Sequence, residues 1–68
     1  MILDVRHLSD SKLYEKVANV LESASPVRKV LVCINTKEDP HKMKSFIEKS
    51  GFNVTISSLK DCFVLKPL

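Results

Sequence analysis

Two amphipathic helical patterns flank a run that is apolar at every position, Val30-Leu31-Val32-Cys33-Ile34, and this run constrains the fold most. A strand with apolar residues on both sides belongs in the interior of a sheet. Before it, Leu13, Val17, Val20, Leu21 and Ala24 recur at helical spacing over residues 11–24, with Lys12, Glu15, Lys16, Asn19 and Glu22 opposite. Asp10, or Ser9 or Ser11 beside it, is suited to cap that helix, and Ser25-Pro26 ends the pattern. After the run, Asp39 as cap and Pro40 at the first helical position open a second helix. Met43, Phe46 and Ile47 form its buried stripe, Lys44 and Glu48 lie on its wet side, and Gly51 is a left-handed stop.

The ends of the chain read as strands. Ile2-Leu3-Asp4-Val5-Arg6 precedes the first helix; Phe52, Val54 and Ile56 alternate with Asn53, Thr55 and Ser57; a short polar turn then leads into Cys62-Phe63-Val64-Leu65. The order is β-α-β-α-β-β. Right-handed crossovers place both helices on one face of a four-stranded mixed sheet, an α/β fold of the α+β two-layer sandwich kind. With 68 residues there is one domain, 1–68. A chain this short buries only about 60% of its unfolded surface, so an enclosed pocket is not expected and no catalytic residue is assigned. The longest apolar run falls far below the roughly 20 residues that span a bilayer, and no basic region followed by a long apolar one opens the chain. The expectation is a cytoplasmic protein away from membranes, with Cys33 and Cys62 as reduced thiols.

The opening stretch, Leu3-Asp4, Arg6 two residues later, Leu8 and then a helix start, resembles the TusA/SirA-like sulfur-carrier family. The similarity runs from Leu3 to about Lys66 and includes Asp39-Pro40. It implies the same element order, in a fold shared with the C-terminal domain of translation initiation factor three. It also implies that the last strand pairs antiparallel with the second, which makes the two thiols neighbours. The family's reactive Cys sits in a Cys-Pro-x-Pro motif at the first helix start. Asp10, Ser11, Lys12 and Leu13 occupy those positions here, and His7 stands where the family usually has Gly. The sulfur-carrying nucleophile is absent, so the leading expectation is a non-catalytic protein-binding or adaptor domain. Sulfur transfer through a persulfide on Cys33 or Cys62 is the alternative.

Several surfaces deserve weighing beside that resemblance. Loops leaving the carboxyl ends of parallel strands gather His7, Asp10, Asp39 and His41 at one edge, where two helix N-termini can hold an anion. Against this, Asp10 and Asp39 as caps already place negative charge on those donors, and two capped helices with wet loops explain the same residues. His7, Asp10 and His41 suit zinc by type but lack ligand spacing, so neither metal nor cofactor is expected. The two thiols read as semi-buried packing residues, since neither is at a helix N-terminus or beside an evident cation; a redox pair is the other reading. The sheet face away from the helices carries Ile2, Leu31, Cys33, Cys62 and Val64 inside a polar rim. That pattern fits a protein partner or self-association, and equally an ordinary half-exposed sheet.

Net charge is +3, with basic residues scattered and mostly alternating with acids. Nucleic-acid binding therefore rests on a possible strip of Lys12 and Lys16 on the first helix with Lys42 and Lys49 on the second. Only Tyr14 is free of the predicted core to stack on a base, and a solvated helical surface accounts for the same lysines.

Overall fold

The computed structural model describes residues 1–24 and 29–68; the Ser25-Pro26 stop expected for the first helix lies outside them. Its elements are β1 (Ile2–Asp4), α1 (Asp10–Ser23), β2 (Leu31–Asn35), α2 (Pro40–Lys49), β3 (Val54–Ser58) and β4 (Cys62–Pro67). The strands form one sheet in the order β1-β2-β4-β3. β2 runs parallel to β1 and antiparallel to β4, while β3 pairs antiparallel with β4 on its other side. The apolar run thus becomes a strand bonded along both edges, as its composition requires. The fold is the expected α+β arrangement, a four-stranded mixed sheet with two helices.

Period-two alternation sorts each strand into two faces. Leu3, Val5, Val30, Val32, Ile34, Val54 and Leu65 join Leu13, Val17 and Leu21 of α1 and Met43 and Ile47 of α2 in one buried cluster. Fully burying one such aliphatic side chain contributes roughly 1.5–3 kcal/mol, so this single layer carries most of the stability of so small a domain. Tyr14 and Phe46 close the seam between the helices edge to face, their centroids 5.0 Å apart, and the Lys42 Nζ lies 5.2 Å above the Tyr14 ring. No polar side chain is buried among the described residues. Among them, too, no helix is long and apolar enough to cross a membrane.

The two helix starts differ. At α2, Asp39 is the cap, and its Oδ1 accepts from the backbone N–H of His41 at 2.9 Å and of Lys42 at 3.4 Å, with Pro40 at the first turn. At α1 the cap residue is Ser9, in extended backbone, and no side chain bonds the free N–H groups. Of the three candidate caps Ser9 therefore holds the position, though without a side-chain bond, and Asp10 is instead the first helical residue, at a φ of 53°. That left-handed conformation is one that Asp tolerates better than most residues, because its short polar side chain can bond locally. The chain turns into α1 through this backbone kink. At the end of α2, Gly51 adopts a φ of 92°, and nothing lies within 4 Å of where a Cβ would stand. Its backbone conformation, not crowding, calls for glycine. Phe52 packs on the core from outside β3, and β4 extends to Pro67, at the end of the ladder where a missing N–H costs least.

Replacing Asp39 by Ala should lower stability by about 1 kcal/mol in urea unfolding, whereas Ser9→Ala should change it by less than about 0.5 kcal/mol. Equal losses at the two positions would contradict the asymmetric capping.

Candidate functional site

The sheet face opposite the helices gathers the polar chemistry of the chain at the end where β1 and β2 finish. Just past β1, Arg6 folds back on Asp4: its Nε donates to Oδ1 at 2.9 Å, its second guanidinium nitrogen to Oδ2 at 2.8 Å, and its backbone N–H to Oδ1 at 3.2 Å. Both side chains are about half exposed, at 47% and 48%. These bonds from Arg6 hold the Asp4 carboxyl at about 2, below its ordinary 3.8. The same carboxylate pushes the Arg6 guanidinium further above its usual range. Beside them, the Asn35 side-chain amide donates to the Arg6 carbonyl at 3.4 Å, and its Oδ1 accepts from the Lys37 N–H at 2.8 Å. Asp4, Arg6, His7, Asn35 and Asp61 line a shallow, open dish.

The thiols stand next to this cluster. Cys33 pairs in register with Val64, and Cys62 with Asn35, so the two cysteines are diagonal neighbours on adjacent antiparallel strands. Both are free, Cys33 half-buried and Cys62 buried. Burial pushes the Cys33 thiol up, and the nearby Cys62 and Asp4 push the same way, while Arg6 opposes them. Arg6 and the Cys33 thiol act on one another's charge, a coupling not evident from the sequence. Sequence distance hid this, because Arg6 reaches the thiols only through the β1-β2-β4 pairing.

The apolar centre of this face is also less open than expected. Ile2 is 73% exposed and Leu31 and Cys33 half-buried, but Cys62 and Val64 are only 6% and 4% exposed. The cause is position in the sheet. Val64 stands between Cys33 of β2 and Ser57 of β3, so side chains on both neighbouring strands screen it. Leu59 in the β3–β4 turn, read from sequence only as part of a polar loop, is 55% exposed, and its N–H donates to the Cys62 carbonyl at 2.9 Å.

The loop-edge group does not assemble. His7 lines the dish, whereas Asp10, Asp39 and His41 do not. Asp39 lies toward the helical layer, where it and Glu38 help burial raise the Tyr14 hydroxyl. Among the described residues no three His, Cys, Asp or Glu side chains converge as metal ligands. The lysine strip divides as well. Tyr14 faces α2, and Lys12 and Lys16, each two residues from it, point some 160° round the helix to the opposite flank. Lys16 borders Met1 on that outer side, while Lys42 sits over Tyr14 in the seam. Tyr14 is packed between Phe46 and Lys42 and is no free stacking platform. A groove of about 330 Å³ at the far end of the sheet is lined by Leu21, Val30, Val32, Ile47 and Val54 of the core together with Asn53 and Leu68, and among the described residues lining it Lys29 carries the one titratable side chain.

Comparison of the chain with protein-family models, curated proteins and solved structures gives no match.

The Asp4 carboxyl should titrate by NMR with a midpoint of about 2. Because the folded value is depressed, the stabilisation from this bond is present above the ordinary 3.8 and is lost as pH falls through about 2. Arg6→Gln should return the midpoint most of the way to 3.8, and an unchanged midpoint would remove Arg6 as the cause. At neutral pH, iodoacetamide should modify Cys33 more slowly than an unhindered model thiol, and Cys62 more slowly still. Rapid labelling of either would contradict this environment.

Proposed function

We propose that this chain is a divergent TusA/SirA-like domain acting as a non-catalytic adaptor, which docks a protein partner on the sheet face opposite its helices. The observation that carries the reading is the composition of that face: exposed Ile2 and half-buried Leu31 and Cys33 beside the fixed Asp4–Arg6 pair. An apolar patch bordered by an oriented arginine offers a partner both contact area and direction, and arginine is enriched in such interfaces. Asp10 stands where the resembled family carries its thiol, and it opens α1 at a φ of 53°. A carboxylate there cannot accept sulfur as a persulfide. The element order and the antiparallel β2–β4 pairing agree with the resemblance.

A second reading, sulfur transfer, draws on the charge of Arg6, which favours the Cys33 thiolate although burial, Cys62 and Asp4 together raise that thiol. Binding of nucleic acid is weakened by the separation of the lysine flanks, and docking of a second copy on the same face is the self-association form of the leading reading.

Tagged protein should retain a protein from its native lysate in the presence of nuclease, and Ile2→Asp should reduce that retention about tenfold, the effect of losing roughly 1.4 kcal/mol at a contact. Retained material that vanishes with nuclease, or that Ile2→Asp leaves unchanged while Lys12→Glu/Lys16→Glu abolishes it, would overturn the reading. A gain of one sulfur on a defined cysteine after treatment with polysulfide, which transfers a sulfane sulfur to the thiolate and leaves as a polysulfide one sulfur shorter, would favour the carrier instead.

A further inference from the structure

We propose that Cys33 and Cys62 are a redox pair that closes reversibly into an intrachain disulfide joining β2 to β4. The inference is independent of the adaptor reading. The two residues share one sheet face and lie on one diagonal of the ladder, between the register pairs Cys33–Val64 and Asn35–Cys62. Diagonal Cβ atoms in such a pair stand about 7–8 Å apart or somewhat less, and the right-handed twist of paired strands shortens one of the two diagonals. A disulfide needs about 3.5–4.5 Å between Cβ atoms, so closure requires the strand ends to move together by a few ångströms. The ladder can yield here. Asn35–Cys62 is its terminal pair and β4 begins at Cys62, so the β2–β4 ladder has no further rung there; the Leu59 N–H bond to the Cys62 carbonyl, at 2.9 Å, lies within the β3–β4 hairpin and does not tie Cys62 to β2. The chain holds no other cysteine to compete.

Accessibility orders the steps. Cys62 is buried and Cys33 only half-buried, so a low-molecular-weight disulfide, RSSR, meets Cys33 first. The Cys33 thiolate attacks one sulfur of RSSR; the S–S bond breaks, and RS⁻ leaves and takes up a proton, giving a mixed disulfide on Cys33. The Cys62 thiolate then attacks the Cys33 sulfur and expels the second RS⁻. In sum, two protein thiols lose two electrons and two protons, and one RSSR becomes two RSH. The Arg6 charge favours the Cys33 thiolate against the larger effect of burial, which makes it a positioning residue for the first step.

The test is intact mass under denaturing conditions after incubating the reduced protein with glutathione disulfide. The wild-type chain should lose about 2 Da, the two hydrogens released on forming one disulfide, remain monomeric, and recover its mass with a thiol reductant. The oxidised form should melt on the order of 10 °C higher, less any strain, because the link restricts the unfolded chain. Cys62→Ala should stop at a single glutathione adduct on Cys33, and Arg6→Gln should slow formation of that adduct. A wild-type protein that accumulates a stable adduct, forms an intermolecular disulfide, or stays fully reduced would overturn the proposal. The wild-type measurement suffices even if a variant fails to fold.

Discussion

The pairing of β2 on both of its edges is the constraint on which the rest of the molecule depends. Val32 and Ile34 on one side of β2 are at the centre of the core, 1% and 0% exposed, while Leu31, Cys33 and Asn35 lie on the other side, where Asn35 bonds into the polar cluster. A one-residue slip of β2 would exchange these sets. It would put an amide into the core and bare Val32 and Ile34, a cost that a domain with a single apolar layer cannot absorb. Core and candidate site are therefore fixed by one register, and neither can shift without the other.

This coupling explains why so small a chain can hold an oriented functional group. The Asp4–Arg6 bonds are half exposed, and pairs of that kind add little to folding stability. Their consequence is geometric. The guanidinium is drawn back along the strand end onto Asp4, which stands in register with Cys33 of a strand far away in sequence. The Asn35 side chain, bonded to the Arg6 carbonyl and to the Lys37 N–H, joins the β1 and β2 exits into one frame.

Local signals made α2 legible in the sequence from end to end: Asp39, Pro40 and Gly51 each act within a turn of the backbone they control. The alternation of β2 and β4 likewise assigned residues to faces, and the resemblance implied the pairing that makes Cys33 and Cys62 neighbours. At α1 the sequence left three candidate caps, Asp10, Ser9 and Ser11, because all three types cap readily, and only the left-handed backbone at Asp10 shows that Ser9 holds the cap position. Burial of Cys62 and Val64 could not be read from alternation, which says which face a side chain is on but not how far adjacent strands cover it. The lysine flanks failed for a related reason. Helical spacing relates Lys12 to Lys16, but only the Tyr14–Phe46 contact shows which side of α1 meets α2.

The central claim is that the helix-free sheet face is the working surface of this domain. Methyl NMR of the chain with its retained protein partner tests this most directly, since Ile2 and Leu31 report on that face and Val20 and Leu8 on the helical side. The account predicts that the Ile2 and Leu31 methyls shift or broaden on binding while Val20 and Leu8 stay in place. Changes confined to Val20 and Leu8 would assign the contact to the helices and contradict it.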